Sequence, residues 1–375
     1  MRGPLSRQRE RAVQPSSRPR QVNISEVAAR VGVGVGTVSR VLNGSTQVRD
    51  STRRAVLEAI KELQYRPNRA AVSLSVGSTR SIVVLVPFLT RPSSVARLSG
   101  IIAVLDDNGY DCVVANVETR AQRDRHLESL IREHRTDGVI VCSLPLEKAE
   151  VQAISDVQLP LVMVDADTPG VLRTVVDDVL GGRMACQCLL GRGHQRIAFI
   201  GDNLEDALGF TSTRRRLRGY RDALLAAGIE PDPGLVRLCP HGAQPALDSA
   251  VELLALDRPP TAIFAASDTQ ALGVLMAAEQ LARRVPDDLA VIGYDDLETA
   301  GLVHLSSVRQ PLFASGMNAA QRLCALISGE SPKPARVLMN IEVIERFSTG
   351  NGDFAASATA RSPYSQPVPA RQSTT

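Results

Sequence analysis

The chain has no tryptophan, and only five tyrosines and seven phenylalanines. No indole is available to stack on a ligand, so that task would fall to Phe88, Tyr220 or Tyr294. No apolar run approaches the ~18 uninterrupted residues of a membrane span. The N-terminus is rich in Arg, Pro and Ser and lacks the apolar stretch of a secretory signal, so no membrane partner and a cytoplasmic location are expected. Six cysteines (112, 142, 186, 188, 239, 324) are scattered through apolar segments without zinc-ligand or thioredoxin spacing, and they read as buried reduced thiols. Five histidines (126, 134, 194, 241, 304) lack metal-ligand spacing as well. No Ser/His/Asp or Cys/His constellation emerges, so neither a cofactor, a metal nor catalysis is expected.

Charge is present but unevenly placed. Up to Arg80 there are 14 Arg and one Lys against five acids, a balance of +10; the remainder holds 28 bases and 35 acids, a balance of −7. A basic head on an acidic body attracts polyanions through counterion release. Residues 1–20 carry six Arg and one Glu among several Pro and Ser, which reads either as a disordered basic arm touching phosphates or as a start-site extension. Residues 349–375 show no periodicity and read as a second disordered tail.

The basic region has a helical grammar. Asn23 precedes a helix with the apolar stripe Ile24, Val27, Ala28 and Val31, and Glu26 stands three residues on, where a capping box places it. A VGVG turn follows, then a second short helix with Val38, Val41 and Leu42 inward, leaving Val35, Gly36, Ser39 and Arg40 outward. Two short helices joined by a glycine-bearing turn, the second polar and basic outside, have the shape that enters a DNA major groove. A third helix runs from about Asp50 to Leu63 with Val56, Ile60 and Leu63 inward. The Gly32-x-Gly34-x-Gly36 run invites a dinucleotide-phosphate reading, but Thr37 stands where that fingerprint needs glycine and no strand precedes it.

The TVSRVLNGS and YRPNRAAVSL segments are close to the signature of the LacI/GalR family of bacterial transcription regulators, and residues 23–348 resemble that family. The resemblance implies that Val35 and Gly36 set operator preference and that Thr37, Ser39, Arg40, Asn43 and Thr52 serve bases or phosphates. The family usually has Ser where this chain has Gly34, and Ser where it has Arg49, so Asp50 or Ser51 is expected to cap the third helix one residue late. Val35 offers only a methyl face and Gly36 offers nothing, which leaves direct readout to Arg40, able to grip a guanine edge. The resemblance further implies a hinge helix, Asn68 to Ser75, with Asn68 and Arg69 on phosphates. Leu74 would wedge a minor-groove base step, or else merely anchor the linker to the body.

From Ser81 onward, SIVVLVP, DCVVANV, GVIVCSL and LVMVD read as buried parallel strands, with helices around 93–108, 121–135 and 147–157. RIAFIGD, VRLCP, AIFAAS and LAVIGYD form a second series, with helices near 179–191, 214–227, 244–256 and 269–282. The expected fold is α/β: a helix-turn-helix head (22–67), a hinge and linker (68–80), and a two-lobed body (81–348) of doubly wound parallel sheets similar to periplasmic binding proteins. Crossings near Asp178, Arg309 and Ala335 divide it into lobe 1 (81–178, 309–334) and lobe 2 (179–308, 335–348). Strand ends offer Asp165, Ser267, Asp268 and Asp295, and Arg216 opens a helix. The resemblance implies that these hold a small-molecule effector, a carbohydrate among the candidates, while the Arg214–Arg218 run leaves an anionic effector open. Ser267 and Cys142 depart from the amides that sugar-binding relatives often carry there. With no leucine heptad at the C-terminus, a homodimer on a pseudo-palindromic duplex DNA operator is expected. An enzyme and a transport-type binding protein are the rival classes.

Overall fold

The computed structural model describes residues 22–42, 44–65, 78–133, 135–205 and 207–350. The chain divides into two compact units, a head up to Thr79 and a body from Arg80. Arg80 therefore belongs to the body rather than to the linker: its N–H donates to Asp137 Oδ2 at 3.0 Å and its carbonyl accepts from Asp111 N at 2.8 Å.

In the head, α1 (Ile24–Val31) starts at Asn23, whose side chain accepts from Glu26 N at 3.0 Å. It ends at Gly32, whose φ of +74° suits a residue without a Cβ. α2 (Val35–Leu42) and α3 (Asp50–Glu62) close on it around Val27, Ala28, Val38, Val41, Val56, Ala59 and Tyr65. Arg49 remains the N-cap of α3, with φ −56° and ψ 140° and no side-chain cap bond, so the expected shift of the cap to Asp50 or Ser51 does not occur. The fold holds that junction from another side. The Arg53 guanidinium donates to the Ser45 carbonyl, and Arg30 pairs with Glu62 at 2.9 Å across the ends of α1 and α3.

The body is two sheets of six strands each. The first comprises β1 (Ser81–Pro87), β2 (Asp111–Val117), β3 (Gly138–Cys142), β4 (Leu161–Val164), β5 (Leu172–Val175) and β11 (Arg336–Leu338), in the order β11-β5-β4-β3-β1-β2. The second comprises β6 (Ile197–Asp202), β7 (Val236–Cys239), β8 (Ala262–Ala265), β9 (Ala290–Asp295), β10 (Ser306–Arg309) and β12 (Glu342–Ile344), in the matching order β12-β10-β9-β8-β6-β7. Every pairing is parallel except β10 with β12. Central strands such as Gly138–Cys142 and Leu161–Val164 are buried throughout, which explains why they are continuous apolar runs rather than alternating ones. Helices α4 (Pro92–Asp107), α5 (Arg120–Glu133), α6 (Lys148–Asp156) and α12 (Leu312–Ile327) accompany the first sheet. Helices α7 (Asp178–Leu190), α8 (Ser212–Ala226), α9 (Ala243–Leu254), α10 (Asp268–Gln280) and the short α11 (Glu298–Leu302) accompany the second.

Helices cross backbone to backbone in both lobes. A Cβ on Gly219 of α8 would lie 2.0 Å from Val179 O, and one on Gly182 of α7 would lie 2.1 Å from Arg216 O. Gly100 and Gly316 do the same for α4 and α12, at 2.0 Å from Phe313 O and Arg97 O. Close approach of α7 and α8 brings Arg216 under the sheet ends. Among the aromatics, Phe199 meets Phe264 edge-on at 5.3 Å and Tyr220 at 5.6 Å inside the second lobe.

The first two lobe crossings fall at 176–177 and 310–311, within two residues of expectation. The third does not. β11 pairs with β5 through Arg336↔Arg173, Val337↔Thr174 and Leu338↔Val175, so residues 336–338 belong to lobe 1 and the chain crosses at 339–341. Three residues are too few to show a period, so the boundary at Ala335 had no sequence signal to correct it. The body also extends past 348. Ser348 donates to Val291 O at 2.6 Å, and the buried Thr349 hydroxyl lies 2.7 Å from Ser306 Oγ.

Asp268, placed among the ligand residues by sequence, is instead a structural carboxylate. It stands in the first turn of α10, where Ser267 is the N-cap, and is fully buried. It accepts from Leu297 N at 2.7 Å and from Ser307 Oγ at 2.6 Å, which ties α10 to the chain after β9 and to β10. Burial, with the neighbouring Asp295 charge, holds its carboxyl well above the usual aspartate range. A carboxyl raised on folding takes up a proton more readily folded than unfolded, so its net effect favours folding as pH falls from neutral towards the ordinary value near ~4. Differential melting should show the wild type gaining on Asp268→Asn as pH is lowered through that window. A constant difference would exclude the linkage.

Two glycine substitutions should move stability in opposite directions. A Cβ at Gly36 meets nothing within 4 Å, so Gly36→Ala should stabilise the head by about 0.5–1 kcal/mol. Gly219→Ala should cost the body about 1–3 kcal/mol through overpacking. Calorimetry of the full chain checks both signs.

Candidate functional site

The carboxyl ends of the strands in both lobes face one cleft, where open doubly wound sheets place their ligands. Pro87, Ser143 and Asp165 reach it from the ends of β1, β3 and β4. Asp202, Ser267 and Asp295 reach it from β6, β8 and β9, and Gln310 from the second crossing. Helix starts complete it: Arg91, Ser94 and Arg97 at α4, and Ser212, Thr213 and Arg216 at α8. The cavity between them is about 70 Å³, within a wider space of about 620 Å³ that includes open solvent.

Of the five ligand residues expected from sequence, Asp165, Arg216, Ser267 and Asp295 line this cleft, and Asp268 does not. Arg216 is buried; its Nε donates to Asp178 Oδ1 at 2.8 Å and one terminal nitrogen to Ala266 O at 2.6 Å. Its guanidinium lies 3.6 Å from the centre of the Tyr294 ring. Burial opposes the charge, but Asp178, Tyr294 and Asp295 together outweigh it, and the guanidinium is held above its ordinary range. Burial also raises Asp178 and Asp295, against the pull of Arg216 on each. Asp295 accepts from Gln310 Nε2 at 2.6 Å. In the other lobe, Asp165 accepts from Ser143 Oγ at 2.7 Å and pairs with the buried Arg97 at 3.3 Å.

Strand ends around the cleft adopt left-handed backbone: Phe88 at φ +44°, Ser143 at +54°, Asp165 at +62° and Asp295 at +112°. None is glycine, and such conformations cost of order 1–3 kcal/mol each, which marks sites whose side-chain aim matters more than local ease. Ser267 is aimed differently. As N-cap of α10 it accepts from Gln270 N at 3.2 Å, and its hydroxyl donates to Gln270 Oε1 at 3.1 Å.

Sequence reasoning missed Arg91, Arg97, Asp202, Phe210, His241, Gln270 and Gln310. Asp202 holds His241 Nδ1 at 3.1 Å and accepts from Gln270 Nε2 at 2.9 Å. Asp202 had a signal, since it ends RIAFIGD as Asp295 ends AVIGYD. Of the three proposed aromatic platforms only Phe88 is near the cleft. Tyr220 donates its hydroxyl to Ile197 O inside the core, and Tyr294 lies fully buried beneath Arg216. Phe88 instead meets Phe210 of the other lobe at 6.1 Å, and the Arg91 guanidinium stacks 4.2 Å from Phe88 and 5.8 Å from Phe210. Next to Phe210, Leu208 leaves its own lobe and is buried among Leu85, Leu144 and Leu146 of the first.

Cys142 is buried behind the cleft, its thiol pushed up to about 12 by burial, and does not line it. All six cysteines are free. Among the described residues no His/Cys/Asp/Glu group could hold a metal, and no helix is long and apolar enough to cross a membrane. His194 bonds Thr261 Oγ1 at 3.0 Å in its turn, a structural place.

In the head, Val35, Gly36 and Arg40 are exposed together on α2, and Thr37 and Ser39 are half-buried beside them. Thr52 is half-buried on α3. Gly34 offers its carbonyl to Thr37 N at 2.8 Å and has no side chain to cap the helix. Asn43, Asn68, Arg69 and Leu74 lie outside the described residues.

Residues 23–68 match the family model for bacterial regulatory proteins of the lacI family, and 186–349 match that for a periplasmic binding protein-like domain. The HTH-type transcriptional regulator CelR of Thermobifida fusca is 36% identical over 344 residues, covering 88% of this chain and 99% of that protein. A solved CelR–cellobiose complex superposes with a TM-score of 0.64 at 34% identity, covering 88% of this chain and 100% of the other. The lac repressor dimer bound to operator and an anti-inducer superposes with a TM-score of 0.79 at 28% identity, covering 88% and 99%. With its helix-turn-helix head and effector-binding body, the chain belongs to the lacI family of bacterial transcriptional regulators, which are not enzymes.

Proposed function

We propose that this regulator is a cytoplasmic repressor that binds a pseudo-palindromic operator as a homodimer and changes its DNA affinity when a neutral sugar enters the interlobe cleft. The observation that carries the ligand class is charge compensation. The two buried guanidiniums of the cleft already have carboxylate partners, Arg97 with Asp165 and Arg216 with Asp178, while Asp295 is held by Gln310. An anionic effector would have to compete with those carboxylates, whereas hydroxyls find donors and acceptors from both lobes. The similar CelR was solved with cellobiose, which agrees with that chemistry. Arg214, from the run that suggested an anionic effector, instead donates to Leu204 O at 3.1 Å on the lobe surface.

On the DNA side, exposed Arg40 is the group on α2 able to make a bidentate base contact. In operator binding measured at near-physiological salt, Arg40→Ala should lose about 1–3 kcal/mol on the preferred sequence and relax discrimination at one base pair. Equal loss on every sequence would make it a phosphate contact. In vitro selection from random duplexes should return a palindrome; tight binding without any enriched sequence would refute operator reading.

For the effector, Asp295→Asn keeps the shape and the Gln310 contact and removes one acceptor charge. Titration calorimetry with the effector should show an affinity loss of about tenfold or more, in line with ~1.5–3 kcal/mol for charged hydrogen bonds, with operator binding by the free protein unchanged. An unaltered affinity would remove Asp295 from the site. Arg216→Ala is a poorer test, because it strands buried Asp178 and should cost about 3–5 kcal/mol of stability.

A further inference from the structure

The chain enters the body at a residue held in an unusual backbone state. Arg80 has φ +50°, a left-handed conformation that a non-glycine residue adopts at a cost and keeps where its surroundings impose it. Those surroundings are the amino ends of three neighbouring strands, β3, β1 and β2. Beside β3, Asp137 Oδ2 accepts the Arg80 N–H at 3.0 Å. Beside β2, Asp111 N donates to the Arg80 carbonyl at 2.8 Å, and the Arg80 guanidinium lies 5.4 Å from the centre of the Tyr110 ring. Ser81 is fixed as well. Its carbonyl accepts from Asp137 N at 2.9 Å and from the buried Thr136 hydroxyl at 2.8 Å, and its own hydroxyl donates to Arg135 O at 3.1 Å. Arg80 itself is exposed, so its side chain adds little to any core. What the network fixes is the direction of the backbone at the point where residues 1–79 are attached.

We propose that Arg80, clamped by Asp137 and Tyr110, is a positioning residue that sets which half-site separation the regulator accepts on DNA. The proposal rests on the reading of two heads on one paired site. In that reading each head hangs from its own Arg80, and the paired bodies fix the distance between the two roots. A head on a stiff root reaches few positions. On a duplex whose half-sites match those positions little ordering remains to be done, and at any other separation the root has to be strained. A head on a loose root reaches several separations, with a lower effective concentration at each. From Ser75, where the sequence places the end of a hinge helix, to Arg80 the chain can span at most roughly 17 Å. So short a tether does not average out a change of direction at its root.

The test is binding by the full-length chain to four duplexes: the palindrome that selection returns, the same half-sites moved apart by one and by two base pairs, and a single half-site. The wild type should prefer the selected separation. Asp137→Ala and Arg80→Gly should each shrink that preference by about threefold or more and leave single half-site binding within about twofold. Asp137→Asn keeps an acceptor oxygen for the Arg80 N–H and should retain the preference. Glycine takes left-handed backbone without strain, so Arg80→Gly should melt close to the wild type and decides the matter if Asp137→Ala fails to fold. An unchanged separation preference in Arg80→Gly overturns the proposal, whether or not stability moves. An equal loss on all four duplexes, with a salt slope lowered by about one, also overturns it by making Arg80 a phosphate contact. A wild type that binds the palindrome no better than a single half-site overturns the paired-site reading, and the proposal falls with it.

Discussion

The body depends on one guanidinium. Arg216 is buried between the Asp178 carboxylate, the Ala266 carbonyl and the Tyr294 ring, so it joins α7, α8 and the ends of β8 and β9. An isolated charge at that depth would be prohibitive, and the pair with Asp178 is what makes the position tolerable. The glycine crossing of α7 and α8 is its steric precondition. Without Gly182 and Gly219 the two helices could not approach closely enough for Arg216 and Asp178 to meet. Binding chemistry in the second lobe is therefore supported by a packing decision made by two residues that touch no ligand.

A site assembled in this way is polar with its buried cations already engaged. Arg97 and Arg216 are paired with Asp165 and Asp178 before any effector arrives, which favours a partner recognised by shape and hydroxyl geometry over an anion recognised by ionic attraction. Left-handed backbone at Ser143, Asp165 and Asp295 fits the same picture. The fold holds these polar groups in aimed positions at a conformational cost, so that less ordering remains to be done upon binding.

Much of this was legible in the sequence. Continuous apolar runs announced the eight longest-patterned strands, and the Asn23 cap, the glycine turn and the Val38–Val41 face announced the head. Asp165, Arg216, Ser267 and Asp295 could be picked out as cleft-lining because strand ends and a helix start are where α/β sheets meet their clefts. Illegible features were of three kinds. Strands β5 (LRTV), β10 (SSVR), β11 (RVL) and β12 (EVI) mix charged or hydroxyl residues into three or four positions and lack the unbroken apolar run that marked the equally short β4 and β8. Asp268 was misassigned because adjacent residues at a strand end diverge by about 100° once a helix begins: Ser267 faces the cleft and Asp268 turns back into the lobe. Phe210, Gln310 and Arg91 act across lobes, and nothing local in a sequence reports which residue on a distant segment will face them.

The third crossing, at 339–341, lies beside the first, with Met339 N donating to Val175 O at 2.8 Å. Three short connections, two of them bonded side by side, leave the lobes little freedom to slide apart, which favours a turn about a pivot through these segments. The cleft lies at the carboxyl end of β1, and the chain enters the body at its amino end, about 20 Å away for a seven-residue strand. Lobe 1 thus spans the distance between the cleft at one end and the linker's attachment point at the other. Any turn of a few degrees about that pivot is converted by strand length into a displacement at Arg80.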